Sequence, residues 1–389
     1  MESIKLKISN LAKLAFLIFT LFFLNACTKQ EKQFLVYVGT YTGNGSEGIY
    51  AYRFNPTNGT LTALGLVAKT ENPSFLAIDS AGSFLYSVNE LDTFQNQNTG
   101  AVSVFKIDKK TGSLTLLQQV SSLGAAPAHL SLDKSGRYLL VANYNGGNVA
   151  VFPIASDGKL GDQTALVQNS GSSVNKDRQS SPHAHFIRVT ANNKFALTAD
   201  LGVDKVYINA FDANRGTLVA VDSGFINMQP GSGPRHIAYT PSDKFVYVLN
   251  ELTSTVSVFY FDPETGSMKV GKTISTLPTN FDGINSTAEI HTDANGRFLY
   301  VSNRGDNSIA QYAINSEDGN LTAVTWISSG GKTPRNFEID PTGQWLFAAN
   351  QNSDNIVLFR IDENTGQLKH AAEYSGIISP VCIQFMSVD

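Results

Sequence analysis

Residues 234–251 read PRHIAYTPSDKFVYVLNE, and the fold can be worked out from this stretch. Two β-type runs, HIAYT and KFVYVLN, flank a tight turn at Pro241, which predicts an antiparallel hairpin. The first strand opens with Arg235-His236 and the second closes with Asn250-Glu251. Antiparallel pairing therefore brings four polar side chains to the same end of one hairpin.

The second strand of this hairpin has relatives throughout the chain. Seven strands led by an aromatic residue start 47 to 57 residues apart: FLVYVG (34), FLYSVN (84), YLLVAN (138), FALTAD (195), FVYVLN (245), FLYVSN (298) and WLFAAN (345). A Gly-X-Leu or Gly-X-Met tripeptide also occurs seven times, at 59, 112, 158, 216, 266, 319 and 366. Such regular self-similarity indicates a repeat architecture.

Each repeat contains four short strands, which in the last complete unit are TPRNFEID, WLFAAN, NIVLFRI and QLKHAAEY. This spacing is typical of a propeller blade, so we predict an all-β, seven-bladed β-propeller of four-stranded blades. The first unit lacks its first strand, and SPVCIQF (379–385) matches the missing strand. We expect SPVCIQF to pair with FLVYVG and close the ring, which makes residues 34–389 one domain.

The first 26 residues are expected to be an export signal. Three lysines precede an apolar run at 14–24, which is too short for a permanent transmembrane helix. The run ends in Leu24-Asn25-Ala26-Cys27, which resembles the lipobox of bacterial lipoproteins and implies cleavage before Cys27 and lipidation of its thiol. An ordinary signal peptide with an incidental cysteine is the alternative.

The residue after Cys27 is Thr28, which favours the outer membrane over other destinations. The sequence therefore predicts an exported lipoprotein on the periplasmic side of the outer membrane or at the cell surface, with residues 27–33 as the lipidated tether. We expect its only membrane contact to be this anchor.

The rest of the composition excludes several classes of partner. Loss of residues 1–26 removes three Lys and one Glu, which shifts the net charge from −4 to −6. The chain has no basic tract or basic patch with interleaved aromatics, so nucleic acid is not an expected partner. Besides Cys27 only Cys382 remains, which argues against a disulfide and against zinc spacing. We expect a monomer without cofactor, with Cys382 in its core.

The first strand of each blade in a propeller lines the central channel. The starts of first strands and the ends of second strands then meet at one channel mouth. Reading the repeats in register gives His185, Arg235, Glu251 and Arg304 as catalytic candidates. It gives the following substrate-binding candidates: His236, Glu289, His291, Arg335, Asn143 and Asn250.

These residue types suit the recognition of a small anionic or sugar-like molecule. Arginine binds carboxylate or phosphate through two parallel hydrogen bonds, and Glu and His transfer protons when their pKa values are suitably shifted. Carboxylates interleaved with arginines disfavour a metal site, and no Ser/His/Asp triad follows from the spacing. For Asn143 and Asn250 a structural role at the strand ends is an alternative, and His291 could simply be a hydrogen-bonded channel residue.

Four segments of the chain resemble the lactonase family of seven-bladed propellers: SPHAHF (181–186), GPRHIAYTPSDKFVYVLNEL (233–252), AEIHTDANGRFLYVSNRGDNSI (288–309) and TPRNFEIDPTGQWLFAANQ (333–351). That family includes propeller-type 6-phosphogluconolactonases and fungal carboxy-cis,cis-muconate lactonizing enzymes. The resemblance implies a His, an Arg, a Glu and a second Arg around the channel mouth, without a metal. These are His185, Arg235, Glu251 and Arg304 in this sequence.

Three functions remain open at this point. The leading hypothesis is hydrolysis of a sugar lactone, with Glu251 or His185 as general base and the two arginines stabilising the oxyanion. The second is the reverse reaction, cyclisation of an unsaturated carboxylate. The third is a non-catalytic propeller that binds a sugar acid, a glycan or a protein. Export is at odds with 6-phosphogluconolactone as the substrate, because that compound is cytosolic.

Overall fold

Seven antiparallel four-stranded sheets occupy residues 33–388 of the computed structural model, which describes residues 32–388. The expected signal peptide, Cys27 and the tether up to residue 31 lie outside the described residues. Within the described part of the chain, no helix is long and apolar enough to cross a bilayer.

The strands are numbered along the chain and fall into four concentric sets. The innermost strands are β4 (Leu76–Ile78), β8 (Pro127–Leu132), β12 (Ala184–Val189), β16 (Pro234–Tyr239), β20 (Thr287–Thr292), β24 (Pro334–Ile339) and β28 (Pro380–Val388). The second strands are β1 (Gln33–Thr40), β5 (Phe84–Asn89), β9 (Tyr138–Asn143), β13 (Phe195–Asp200), β17 (Phe245–Asn250), β21 (Phe298–Asn303) and β25 (Trp345–Asn350).

The third strands are β2 (Gly48–Asn55), β6 (Ala101–Ile107), β10 (Asn148–Pro153), β14 (Lys205–Asp212), β18 (Thr255–Phe261), β22 (Ser308–Ile314) and β26 (Asn355–Ile361). The outer strands are β3 (Thr60–Lys69), β7 (Leu114–Ser121), β11 (Ala165–Gln168), β15 (Thr217–Asn227), β19 (Met268–Ser275), β23 (Leu321–Ser328) and β27 (Leu368–Ser375). Each innermost strand contacts those of the two neighbouring sheets, so the seven sheets close into a ring. The predicted seven-bladed β-propeller is confirmed.

The last strand closes the ring as predicted. Strand β28 pairs antiparallel with β1, from Gln33 opposite Val388 to Thr40 opposite Pro380, and completes the sheet β28-β1-β2-β3. Cys382 is completely buried in this strand, where its Sγ accepts a hydrogen bond from the Leu76 N–H at 3.3 Å. Both ends of the described chain are therefore held in a single sheet.

The two repeated motifs meet where neighbouring blades pack. In six of the seven repeats the glycine of the Gly-X-Leu or Gly-X-Met turn lies against the leading aromatic ring of another blade's second strand, and Gly112 lies against Leu35 and Leu64 instead. A Cβ on Gly366, for example, would lie 2.6 Å from the Phe298 ring, so only glycine fits there. The same contact joins Gly59 to Trp345, Gly158 to Phe84, Gly216 to Tyr138, Gly266 to Phe195 and Gly319 to Phe245.

Tyrosine hydroxyls strengthen four of these blade contacts. Tyr300 donates to the carbonyl of Gly366 at 2.6 Å, and Tyr247 donates to that of Gly319 at 3.0 Å. Tyr37 and Tyr86 make the same bond to Gly112 and Gly158. All four tyrosines are fully buried, so each bond satisfies a hydroxyl that would otherwise be costly to bury. The residues that repeat in the sequence are thus the ones that form the contacts between blades.

Most innermost strands carry a β-bulge close to their first residue. The pairing slips between Pro234 and His236 in β16, and the same slip occurs in β8, β12, β20 and β24. In a regular strand two consecutive side chains point to opposite faces of the sheet. The bulge changes the direction of the extra residue's side chain, so that Arg235 as well as His236 can face the channel.

Ring closure gives a testable prediction about stability. Deletion of residues 378–389 should abolish the cooperative thermal transition, because it removes β28 and leaves β1 with an unpaired edge. Circular dichroism during heating measures this. Deletion of 388–389 alone is the matched control and should leave the transition in place. A 378–389 deletion that melts like the parent would contradict closure through β28.

Candidate active site

Glu251 is the centre of a charge cluster at the upper end of the channel, the end at which the innermost strands begin. Arg304 Nη2 lies 2.9 Å from its Oε2, and Arg178 Nη2 lies 2.7 Å from its Oε1. Arg235 Nε is 3.0 Å from Oε2, an ion-pair contact without hydrogen-bond alignment. Glu251 itself is 3% exposed. Three arginines therefore enclose one buried carboxylate.

This enclosure fixes the protonation state of the cluster. Burial alone would raise the pKa of Glu251, but Arg304, Arg235 and Arg178 outweigh burial and lower it to about 2. Burial and the neighbouring Arg304 and Arg335 lower the pKa of Arg235 to about 9. At neutral pH Glu251 is thus an ionised carboxylate and Arg235 still carries its charge. A general base needs a raised carboxyl pKa, and Glu251 has the opposite shift.

His185 lies beside this cluster with a free ring nitrogen. Its ring contacts the rings of Tyr144 and His236 in an edge-to-face arrangement, at 5.3 and 5.2 Å between centroids. Its buried Nδ1 has no hydrogen-bond partner. Burial, and then the charge of Arg235, hold the pKa of His185 well below its usual range. His185 is therefore a neutral imidazole that can accept a proton.

A second chain of contacts leads from Arg335 to the rim of the same mouth. Arg335 donates to the Tyr41 hydroxyl at 2.7 Å, and that hydroxyl donates to Glu90 Oε2 at 2.7 Å. The Arg335 guanidinium also stacks 5.1 Å from the Tyr41 ring centroid. With Arg178, Arg235 and Arg304, the mouth holds four arginines against two carboxylates. This excess positive charge attracts an anion.

A layer of side chains closes the channel below this mouth. It consists of the seven residues that share the His236 register: Phe75, His129, Phe186, His236, Glu289, Asn336 and Cys382. The His129 ring packs in tilted contacts between the rings of Phe75 and Phe186, at 4.3 and 4.4 Å between centroids, and His236 Nδ1 lies 2.7 Å from Glu289 Oε1. The residues at this position of the seven repeats thus form one layer across the channel.

Below this layer lies a cavity of about 590 Å³ that opens at the lower end of the channel. We call it the lower cavity. The predicted binding residues His236, Glu289 and His291 line it. Arg235 and Arg335 border a much smaller space of about 10 Å³ above the layer, and His236 and Glu289, as members of the layer, border that space as well. The ten predicted residues therefore do not form one site. The layer divides them between two ends of the channel.

Asn143 and Asn250 belong to neither space. Asn143 is completely buried and donates to Ser122 O at 2.9 Å and to Asn148 Oδ1 at 2.7 Å. Asn250 donates to the hydroxyls of Thr255 and Ser257, both at 3.0 Å. These contacts fix the strand ends, which is the structural role considered above as the alternative to substrate binding.

Three residues near these spaces were not predicted from the sequence. Arg178 lies in a long polar loop between β11 and β12, where no repeat register applies. Tyr41 follows the first β-strand beyond the aligned motif. Glu338 faces the channel two residues after Asn336, in the next inward position of β24, and this period of two could have revealed it. Among residues 32–388, no three His, Cys, Asp or Glu side chains are grouped to hold a metal ion.

Comparison with known proteins agrees with this fold. The family model described as lactonase, 7-bladed beta-propeller, matches residues 35–385, so the chain belongs to that family. A 6-phosphogluconolactonase of Bacillus subtilis is 36% identical over 354 residues, 91% of this chain and 99% of the relative. A 6-phosphogluconolactonase of Formosa agariphila is 36% identical over 86% of this chain and 94% of its own length.

Solved structures include a protein of the same shape from Pseudomonas aeruginosa. The periplasmic gluconolactonase of that organism is 34% identical, with a TM-score of 0.85 over 92% of this chain and 100% of the other. Proteins described as 6-phosphogluconolactonase or gluconolactonase are thus similar to this chain along nearly its whole length.

The buried charge cluster gives a prediction about stability. Glu251→Gln should lower the free energy of unfolding by roughly 3 to 5 kcal/mol, because three arginines lose the buried counter-charge that they share. Urea denaturation measures this. The control is Glu264→Gln, in a pair with Lys194 whose side chains are mostly exposed, and should cost below about 1 kcal/mol. Equal effects of the two substitutions would contradict the central role of Glu251.

The same cluster sets the direction of the pH dependence. Since the pKa of Glu251 is lowered to about 2, its contribution is complete above the unfolded-state value and is lost as the pH falls towards 2. The difference in stability between the parent and Glu251→Gln should therefore shrink on acidification.

Proposed function

We propose that this lactonase-family chain hydrolyses a sugar lactone at the upper mouth of its channel. The supporting observation is the neutral, unpartnered Nδ1 of His185 next to arginines held on Glu251. A proton acceptor and oxyanion stabilisers are what water attack on a lactone carbonyl requires.

In this mechanism His185 Nδ1 removes a proton from the attacking water. Arg235 and Arg304 stabilise the negative charge that develops on the carbonyl oxygen. Collapse of the tetrahedral intermediate breaks the ring C–O bond, and the His185 imidazolium returns its proton to the departing ring oxygen. The product is a hydroxy acid, whose carboxylate the arginines attract.

Glu251 is assigned a different role from that of a base. Both oxygens of its ionised carboxylate are in contact with arginines, so neither is free to take a proton from water, whereas His185 Nδ1 has no partner. We infer that Glu251 is a positioning residue that holds Arg235 and Arg304 in place. Of the two bases considered from the sequence, this leaves His185.

Entry to the mouth requires a movement in this proposal. The space above the layer is about 10 Å³, and Arg178 spans from Glu251 to the Tyr144 hydroxyl, 3.2 Å away. The Arg178 side chain is 42% exposed, compared with 3% for that of Arg235. Arg178 is therefore the member of the cluster that can swing aside with its loop to admit substrate.

We further propose an unphosphorylated aldonolactone as the substrate class. The export signal expected at residues 1–26 removes the chain from the cytosolic phosphorylated lactone, and the Pseudomonas relative is described as a periplasmic gluconolactonase. The decisive experiment is a pH-indicator assay of the purified protein on D-glucono-1,5-lactone and on its 6-phosphate. We expect faster turnover of the unphosphorylated lactone. Preference for the phosphate would overturn the substrate class, and no turnover of either would favour a binding protein.

The assignment of the base gives a prediction about kinetics. His185→Asn should lower kcat by roughly two to four orders of magnitude, because amide nitrogen cannot take the proton from water. The matched control is His370→Asn, on outer strand β27, which should leave kcat unchanged. Glu251→Gln should weaken activity in parallel with its loss of stability. Full turnover in His185→Asn would remove His185 from the mechanism.

The location of the protein follows from the proposed lipid anchor at Cys27. Cys27→Ser removes the thiol that would be acylated, so the protein should move from the membrane fraction to the soluble periplasmic or secreted fraction. Metabolic labelling with a fatty acid and membrane fractionation measure this. Cys382→Ser is the control and should keep both the label and the membrane association. A Cys27→Ser protein that remains in the membrane would contradict the anchor.

A further inference from the structure

The lower cavity is not used by the mechanism proposed above. The layer that contains Phe75, His129 and Phe186 separates it from the arginine cluster, and it opens at the opposite end of the channel. Its volume of about 590 Å³ lies within the range of small-molecule sites.

Several polar atoms that line the lower cavity have no hydrogen-bond partner. They are His236 Nε2 and the Tyr239 hydroxyl, both on buried side chains, and His291 Nε2. His291 Nε2 lies 3.6 Å from Glu289 Oε1 and 3.8 Å from Glu338 Oε2, which is too long for a hydrogen bond. Buried polar atoms are normally satisfied, so these atoms are available to bond water or a ligand in the cavity.

The facing wall carries unpaired positive charge. Arg188 of β12 forms no ion pair with any described residue, and its guanidinium lies 5.5 Å from the Tyr239 ring centroid. Lys134 lines the same wall, and burial followed by repulsion from Arg188 lowers its pKa. Asp243 also borders the cavity, but its Oδ2 accepts a hydrogen bond from the Ala191 N–H. Arg188 and Lys134 are therefore the two cations of this wall, and among the described residues neither forms an ion pair.

We propose that the lower cavity is a second binding site, for a small hydroxylated carboxylate. The carboxylate pairs with Arg188, and a hydroxyl group bridges His291 Nε2 and Glu338 Oε2. A hydroxyl fits this position because it both donates and accepts a hydrogen bond. The site is independent of the proposed reaction, although lactone opening would release a compound of the same class.

The charge state of Glu338 favours a hydroxyl over an ammonium group. Burial, and then Glu289, raise the pKa of Glu338 to about 8, so its carboxyl group is largely protonated at neutral pH and donates a hydrogen bond. The other groups facing it are His291 on β20, Cys382 on β28 and Arg188 on β12. Arg188 acts against the shift, and a neutral acid has little attraction for an amine.

The test is calorimetric titration of the purified protein with sodium D-gluconate. Arg188→Met should weaken binding about ten- to hundredfold, because a charge-assisted pair is lost, while lactone turnover stays unchanged. Arg215→Met, which alters an arginine that is 81% exposed, is the matched control and should bind gluconate like the parent. Arg335→Met, at the upper mouth, should also retain this binding.

The pH arm of the same titration uses Glu338→Gln. In the parent, gluconate binding should weaken as the pH rises through about 8, since Glu338 then ionises and repels the carboxylate ligand. The glutamine amide keeps a donor and cannot ionise, so this variant should retain binding with a flatter profile between pH 7 and 9.

Three outcomes would overturn the proposal. The parent protein could fail to bind gluconate, or Arg188→Met could bind it as tightly as the parent. Alternatively, Arg335→Met alone could abolish binding, which would place gluconate at the upper mouth. Lactone turnover is measured separately from gluconate binding. If gluconate does not bind in the lower cavity, the lactonase proposal is unaffected. If the parent protein does not turn over lactone, the proposal of a second site is unaffected.

Discussion

The packing of an aromatic ring on a bare glycine backbone is the contact on which this propeller depends. It joins the second strand of one blade to the Gly-X-Leu turn of another, and any side chain at Gly366 would collide with Phe298. The tyrosine hydroxyls that bond the same glycine carbonyls add direction to an otherwise apolar contact. Because this contact sets the spacing between blades, it also sets the width of the channel and hence which side chains can meet across it.

The chemical character of the channel depends on the β-bulges near the first residues of the innermost strands. His185, Arg235 and Arg335 are the extra residues at such slips, so they occupy the channel mouth while their neighbours fill the layer below. The same β-bulge, repeated in several blades, thereby gives the channel two chemically different spaces, one above the layer and one below it. The upper one gathers arginines around Glu251, and the lower one places neutral and acidic groups opposite Arg188.

The sequence was sufficient to predict the ring and its closure, because both follow from a repeat that can be aligned with itself. It also located Arg235, Glu251 and Arg304 at one mouth. It did not locate Arg178, since a loop of irregular length has no register. Nor did it predict that Glu251 would be strongly acidic, because that depends on how many arginines reach one carboxylate. The division of the channel into two spaces required the actual sizes of Phe75, His129 and Phe186.

The pairing of β28 with β1 also has a consequence for biosynthesis. These partners lie at opposite ends of the described chain, so the sheet that contains β1 lacks its innermost strand until β28 has been made. Six blades can assemble from neighbouring segments during synthesis, but the growing chain carries an exposed strand edge throughout. A ribosome that stalls near the end would leave a nearly complete propeller open to association through that edge.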